Sequence, residues 1–418
     1  MEAMANFTSL LPTSNVTPTA ASAPSCYAPG VTTETKAPAE APRKRRKVGR
    51  ALLFVLLAAI VLLARPADRH VRAASLLLRF ADERAQGFLP EYGKHALDET
   101  LTEVPSASGP VRARMYSPVG VTNAPGVVIV HGVHRLAIDE PRLMRFARAI
   151  AASGMVVLTP EVKEIADYRI DPASIATLGA AAHSLRERLG GRPVGLMGMS
   201  FAGGLALRAA SDKAFAEDIG FVVAIGAHHD MRRVLEFFKK NETSWPDGHK
   251  EALAAHPYGA LVLLYSHVES LVSPADAPAA RDAIRLFLWD EREASKAKLA
   301  ELSAEGRAKV EALLEGKADV PALIDELTKN PEQATAVSPA GHLDALRAPV
   351  FLLHGETDSV IPASETKWLA EDVPPSLLRA ALVTPAVEHV ELRGQPTAQQ
   401  QWELVRFMAD VLDVANAN

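Results

Sequence analysis

Four places in this chain of 418 residues set a reactive side chain or a turn-forming glycine after a short run that reads as a strand. The first is Gly198-Met199-Ser200-Phe201-Ala202-Gly203-Gly204. Residues 194–197 before it read as a strand, and 201–211 after it as a helix. An abrupt turn from strand into helix strains the backbone at the serine and crowds the residues two before and two after it. Gly198 and Ala202 supply the small residues that such a turn needs. The turn would lift the Ser200 hydroxyl into the open, at a helix N-terminus. A serine held that way can attack an acyl carbonyl.

The second place is His131-Gly132-Val133-His134, after the run 126–130. A glycine turn here can aim the Val133 N–H at a developing oxyanion, together with the N–H of Phe201. The His131 side chain is expected to pack structurally in the turn. The third is L-L-H-G-E-T-D-S-V-I-P (352–362), where Asp358 follows the strand run 350–353. A carboxylate on that loop can orient a histidine and stabilise its imidazolium. The fourth is His389, in P-A-V-E-H-V-E (385–391), after the run 378–383. A loop histidine can serve as general base to Ser200 and then as general acid to the leaving group. Asp230, in Ala227-His228-His229-Asp230, also follows a strand run and is the reserve acid. The same stretch could be read as part of a metal site, but no H-E-x-x-H or H-x-x-E-H motif supports it.

The elements that must position these groups alternate. Residues 111–116 read as an edge strand, and 126–130, 155–158, 194–197, 221–225, 350–353 and 378–383 as further strands. Helical patterns fall between them at 143–150, 172–190 and 201–211, and a helix over 398–413 closes the chain. Strand–helix alternation predicts an α/β fold with a mostly parallel sheet. In such sheets ligands sit at the carboxyl ends of the strands, where all four places fall. The chain order, serine, then acid, then histidine, is the order of the α/β-hydrolases.

Residues 111–230 and 346–413 resemble the α/β-hydrolase superfamily, most nearly its dienelactone-hydrolase and prolyl-oligopeptidase-like esterase branches. The residues that carry the likeness are V-I-V-H-G-V-H (128–134), G-L-M-G-M-S-F-A-G-G (195–204), H-G-E-T-D-S-V-I-P (354–362) and His389. Ala202 departs from the usual G-x-S-x-G. The resemblance implies a serine triad of Ser200, Asp358 and His389, a backbone oxyanion hole and no cofactor. The expected substrate is a small-molecule ester. A peptidase or thioesterase would use the same parts, and a silent hydrolase-fold binding protein is the reading from another class.

More than a hundred residues separate the strands 221–225 and 350–353, far beyond a plain crossover. This insertion, 231–345, is expected to form a helical cap. Its apolar run 259–265 could line a pocket or face a membrane. Leu299, Leu302, Val310, Leu313 and Leu314 form an apolar stripe along the charged stretch 290–317.

Composition narrows the classes. The chain is 48% hydrophobic and 23% charged with a net charge of −5, which fits a globular protein and not a nucleic-acid binder. One cysteine, Cys26, rules out an intramolecular disulfide and a Cys-rich zinc site. Basic charge is concentrated near the N-terminus, in Arg43-Lys44-Arg45-Arg46-Lys47, before an uncharged apolar run at 51–64. A basic collar beside an apolar run reads as a membrane anchor over 48–66. The positive-inside rule puts the tail in the cytoplasm and the rest of the chain outside. A cleaved signal is the alternative, leading to a secreted protein. The organisation expected is a disordered tail and collar (1–47), the anchor (48–66), a juxtamembrane helix with an irregular connector (67–108), the hydrolase core (109–230 and 346–418) and the cap (231–345).

Overall fold

The computed structural model describes residues 67–106, 109–329, 331–388, 391–392 and 396–417. The tail and the expected anchor lie outside the described residues. Among the described residues no helix is long and apolar enough to cross a membrane. The chain divides into residues 1–68 and a compact unit of 69–418, which holds the sheet and the cavity described below.

The core of that unit is an eight-stranded sheet. Its strands are β1 (Leu97–Val104), β2 (Val111–Pro118), β3 (Gly126–Val130), β4 (Val156–Pro160), β5 (Val194–Met199) and β6 (Ile219–Ile225). A small hairpin, β7 (Glu242–Ser244) and β8 (Lys250–Ala252), lies apart, and the sheet resumes with β9 (Val350–Gly355) and β10 (Leu378–Thr384). The order is β1-β2-β4-β3-β5-β6-β9-β10. β2 runs antiparallel to both its neighbours, and every other pairing is parallel.

The central strands are β-branched runs because both their faces are covered. Every residue of β3 and of β4 is buried. Side chains alternate between faces. Val128 and Val130 therefore enter one core cluster, while Val127 and Ile129 enter another. The first face packs against helices Ala173–Arg188, Phe201–Ala210 and Ser364–Asp372. The second packs against the helix 67–81 and helices Pro141–Ala151 and Ala398–Ala417.

One element differs from the sequence reading. Residues 111–116 do not form an edge, and within the stretch expected to be irregular Leu97–Val104 is a strand. β1 pairs along the whole of β2, from Leu97 opposite Pro118 to Val104 opposite Val111, and takes the edge itself. Its sequence, L-D-E-T-L-T-E-V, leaves most side chains exposed and buries only Val104. Periodicity has no core face to report there. The charged residues Asp98, Glu99 and Glu103 suit an edge that must not recruit another chain.

The insertion is mostly helical, as expected. It opens with helix Met231–Lys240 and the β7–β8 hairpin, and continues through helices that include Pro257–Tyr265, Ala277–Leu288, Arg292–Leu299 and Ala304–Leu314. A third cluster forms its core, and Leu299, Leu302, Val310 and Leu313 of the apolar stripe are buried in it. The run 259–265 is buried along its whole length. It is an interior helix of the insertion and has no face left for a membrane.

Candidate active site

Ser200 stands where β5 gives way to helix Phe201–Ala210. Its backbone sits at φ 57°, ψ −134°, a conformation that costs a non-glycine residue about 1–3 kcal/mol and persists only where the surroundings enforce it. The enforcement is visible. The Ser200 N–H donates to the Ile225 carbonyl at 2.7 Å, fixing the turn to the end of β6. A Cβ on Gly198 would lie 2.2 Å from the Ala202 carbonyl oxygen, so position 198 accepts only glycine. Ala202 is fully buried with its methyl accommodated, so its departure from glycine leaves the turn intact. Behind it, a Cβ on Gly204 would meet the His228 ring at 2.3 Å, which explains the second glycine of the pair.

The turn after β3 passes close to the serine. A Cβ built on Gly132 would be 3.9 Å from the Ser200 Cβ. His131 is a buried structural residue, as expected. Its Nε2 accepts the Val162 N–H at 3.1 Å, so its Nδ1 carries the proton and donates to the Gly132 carbonyl at 2.8 Å. Burial pushes its pKa down to about 4, which keeps the ring neutral. Val133 is held from the insertion: the Tyr258 hydroxyl donates to its carbonyl at 3.3 Å. Burial pushes the Tyr258 pKa up, so the hydroxyl stays a donor. Phe201 is the first residue of its helix, where an N–H has no partner within the helix. Val133 and Phe201, the two residues expected to supply oxyanion-hole N–H groups, line the same cavity as Ser200.

Asp358 is buried on the loop after β9. Its Oδ1 accepts the N–H groups of Val360 and Ile361, at 2.8 and 3.0 Å. Its Oδ2 lies 3.4 Å from the Nε2 of His354. That histidine is fully buried, with Nε2 donating to the Ile361 carbonyl at 2.8 Å and Nδ1 bonded to the Thr366 hydroxyl at 2.6 Å. His354 thereby pins the loop that carries the carboxylate.

Ser200, Gly132, Val133, Phe201 and Asp358 all line one cavity of about 630 Å³. Its lining is mostly apolar, with His134, Arg142, His256 and Tyr258 among the polar residues. His389 lies outside the described residues. A second small hairpin pairs β11 (Val387–Glu388) with β12 (Glu391–Leu392), and Val387 lines the cavity.

Asp230 is elsewhere. It caps helix Met231–Lys240, and its carboxylate takes the Arg232 guanidinium, one contact being 2.7 Å. Burial opposes its charge, but the Arg232 side chain and N–H hold the carboxyl below the usual range. His228 Nε2 bonds the Val337 carbonyl at 3.0 Å. His229 accepts from Arg233 at 2.8 Å and faces Asp372 at 2.9 Å. None of the three lines the cavity. Among the described residues there is no group of three or more His, Cys, Asp or Glu side chains placed to hold a metal ion.

The sequence reading missed three contributors. Glu365 is fully buried, accepts the His229 and Asp230 N–H groups at 2.8 and 2.9 Å, and pairs with Arg233 at 2.5 Å. A glutamate one residue into S-E-T-K-W looks like helix surface, and nothing local marks it as buried. Tyr258 gave no signal beyond its neighbourhood to an apolar run. His354 opened the quoted motif H-G-E-T-D-S-V-I-P but had no assigned role.

The strand order with its single antiparallel β2, and the strained serine turn at the end of β5, define an α/β-hydrolase fold. No family model matches the sequence, and no curated protein matches it. Solved structures similar to the chain include the acylaminoacyl peptidase of Pyrococcus horikoshii, at 10% identity and a TM-score of 0.43 over 76% of this chain and 41% of that one. An esterase of Pyrobaculum calidifontis is similar at 16% identity and a TM-score of 0.44, over 84% and 92%. A puromycin-hydrolyzing peptidase of Mycobacterium tuberculosis is similar at 15% and 0.46, over 77% and 39%. The chain spans about two-fifths of the length of the two peptidases.

Proposed function

We propose that the protein is a serine hydrolase that cleaves carboxylic esters, with Ser200 as nucleophile, His389 as general base and acid, and Asp358 as the carboxylate that orients it. The observation that carries this reading is that a serine on a strained strand-to-helix turn and a buried, backbone-fixed aspartate from a distant strand end line the same cavity. Ser200 Oγ bonds to the acyl carbon while His389 takes its proton. The bond to the alkoxy oxygen then breaks, and the alcohol leaves with that proton. Water gives a proton to His389 and attacks the acyl-enzyme. The carboxylic acid leaves and Ser200 recovers its proton. The N–H groups of Phe201 and Val133 stabilise the oxyanion in both halves. These steps use no cofactor.

The domain is placed outside a membrane by an anchor over 48–66, with the tail cytoplasmic. What supports this is the basic collar beside an apolar run in the sequence.

Labelling with a fluorophosphonate probe, wild type beside Ser200→Ala, tests the chemistry. The wild type is expected to label and the variant not to. A folded wild type that does not label would put the silent binding protein ahead of the enzyme.

A further inference from the structure

The cavity beside Ser200 extends to a part of the molecule that hydrolysis itself does not require. Leu77 and Phe80 of the helix 67–81, Phe146 of helix Pro141–Ala151, and Leu404, Phe407 and Met408 of helix Ala398–Ala417 all line it. All six belong to, or pack against, one hydrophobic cluster on one face of the sheet. None has a side chain that can donate a strong hydrogen bond. Met199, next to the nucleophile, packs against the same cluster and lines the same cavity. Polar lining residues, among them His134, Arg142, His256 and Tyr258, come from the turn after β3, the first turn of helix Pro141–Ala151, the loop after β9 and the insertion.

The helix 67–81 is held in place by a polar clasp. Arg79 is buried and donates to the Pro90 carbonyl at 2.9 Å and to the Ser153 hydroxyl at 2.8 Å. Ser75, one turn earlier, donates to the Pro90 carbonyl at 3.1 Å. Burial lowers the Arg79 pKa to about 10, which leaves it charged at neutral pH. The clasp fixes one stripe of the helix to its neighbours. Leu77 and Phe80, three residues apart, then share one face and reach the cavity.

Resting on the reading of Ser200 as nucleophile, we propose that the substrate is an ester of an unbranched hydrocarbon acyl chain, seated between the helices 67–81, Pro141–Ala151 and Ala398–Ala417. Such a lining gives water no partners. A hydrocarbon that displaces that water gains free energy with each methylene buried. The alcohol portion of the ester faces the polar lining. Such an acyl ester can come from solution or from a lipid bilayer, since the reacting chemistry is the same.

The test is kcat/KM of the full-length protein on p-nitrophenyl acetate, butyrate, hexanoate and octanoate. The expected rise is about fourfold per added methylene up to hexanoate. Leu77→Trp and Met408→Trp should each lower the octanoate-to-acetate ratio at least about tenfold. Octanoate offered in solution and octanoate dissolved in phosphatidylcholine vesicles tell the two sources apart, and cleavage of either faster than acetate supports the pocket. Acetate as the best ester would overturn the proposal while leaving Ser200 in place, and that result needs no variant to fold. Faster cleavage of a phenylalanyl p-nitroanilide than of any ester would also overturn it. Absence of both probe labelling and turnover of every ester would instead remove the Ser200 reading beneath it.

Discussion

After β6 the chain reads Ala227-His228-His229-Asp230, and after β9 it reads His354-Gly355-Glu356-Thr357-Asp358. Both stretches put histidine and aspartate at the carboxyl end of a parallel strand, where chemistry is expected in this kind of sheet. Their surroundings divide them. Asp230 caps its own helix and is covered by the Arg232 guanidinium. His228 and His229 are bound by Val337, Arg233 and Asp372. At the β9 corner the histidine is the buried support, held by Thr366 and Ile361, and the aspartate reaches the cavity that Ser200 lines. Residue type and strand-end position are therefore not enough. Both carboxylates are held by neighbours, but only Asp358 lines the cavity that Ser200 lines, and the proposed chemistry rests on that difference.

The strongest way to break this comparison is to neutralise each aspartate. Asp358→Asn should lower kcat about 10⁴-fold with little change in thermal midpoint, because the histidine loses its orienting charge. Asp230→Asn should leave kcat within about threefold, since asparagine is as good a helix cap as aspartate. Steady-state kinetics on one ester decides it. If Asp230→Asn carries the large loss, the roles of the two corners are reversed.

Much of this contrast was legible in the sequence, and its limits have physical causes. Ser200 was visible because a strained turn demands small neighbours within a few residues, which is a local pattern. Asp358 was visible because it sits on the loop that follows an apolar strand run. β1 was not, because an exposed edge strand has no apolar alternation. Glu365 and Tyr258 were not, because their partners lie more than a hundred residues away in the chain. The lining role of Leu77 and Phe80 also stayed hidden. Their helix is readable from its periodicity, but what its face meets is set by how helices pack across the sheet.

Removing Glu365 should sharpen the division from the other side. Glu365→Ala leaves the Arg233 guanidinium and the two N–H groups of His229 and Asp230 without their acceptor. Arg233 keeps its bond to His229 Nδ1 at 2.8 Å and its place over the Trp368 ring at 4.3 Å, but neither supplies the negative charge of a carboxylate. The loss should be about 3 kcal/mol or more of stability. Denaturant unfolding measures it, and kcat of the folded fraction should stay within a few-fold of wild type. A large stability loss with kcat nearly intact marks the β6 corner as structural. A collapse of kcat at unchanged stability would make it part of the chemistry.

The smallest expected effect tests the cavity side through pH. His131 holds the turn after β3 only as a neutral ring, because Nε2 must accept from Val162 while Nδ1 donates to Gly132. Its pKa is lowered from the ordinary 6.5 to about 4 by burial. The folded protein thus binds this proton less readily than the unfolded chain. Stability from this group is present above pH 6.5 and is lost as pH falls from 6.5 towards 4. The loss should approach about 3 kcal/mol near pH 4. His131→Gln presents one donor and one acceptor without a titrating group, and should flatten that part of the pH–stability curve. Urea midpoints for wild type and variant between pH 4 and 8 read the difference. A wild-type curve with the same slope as the variant's would show that His131 is not the buried neutral support of the turn beside Ser200.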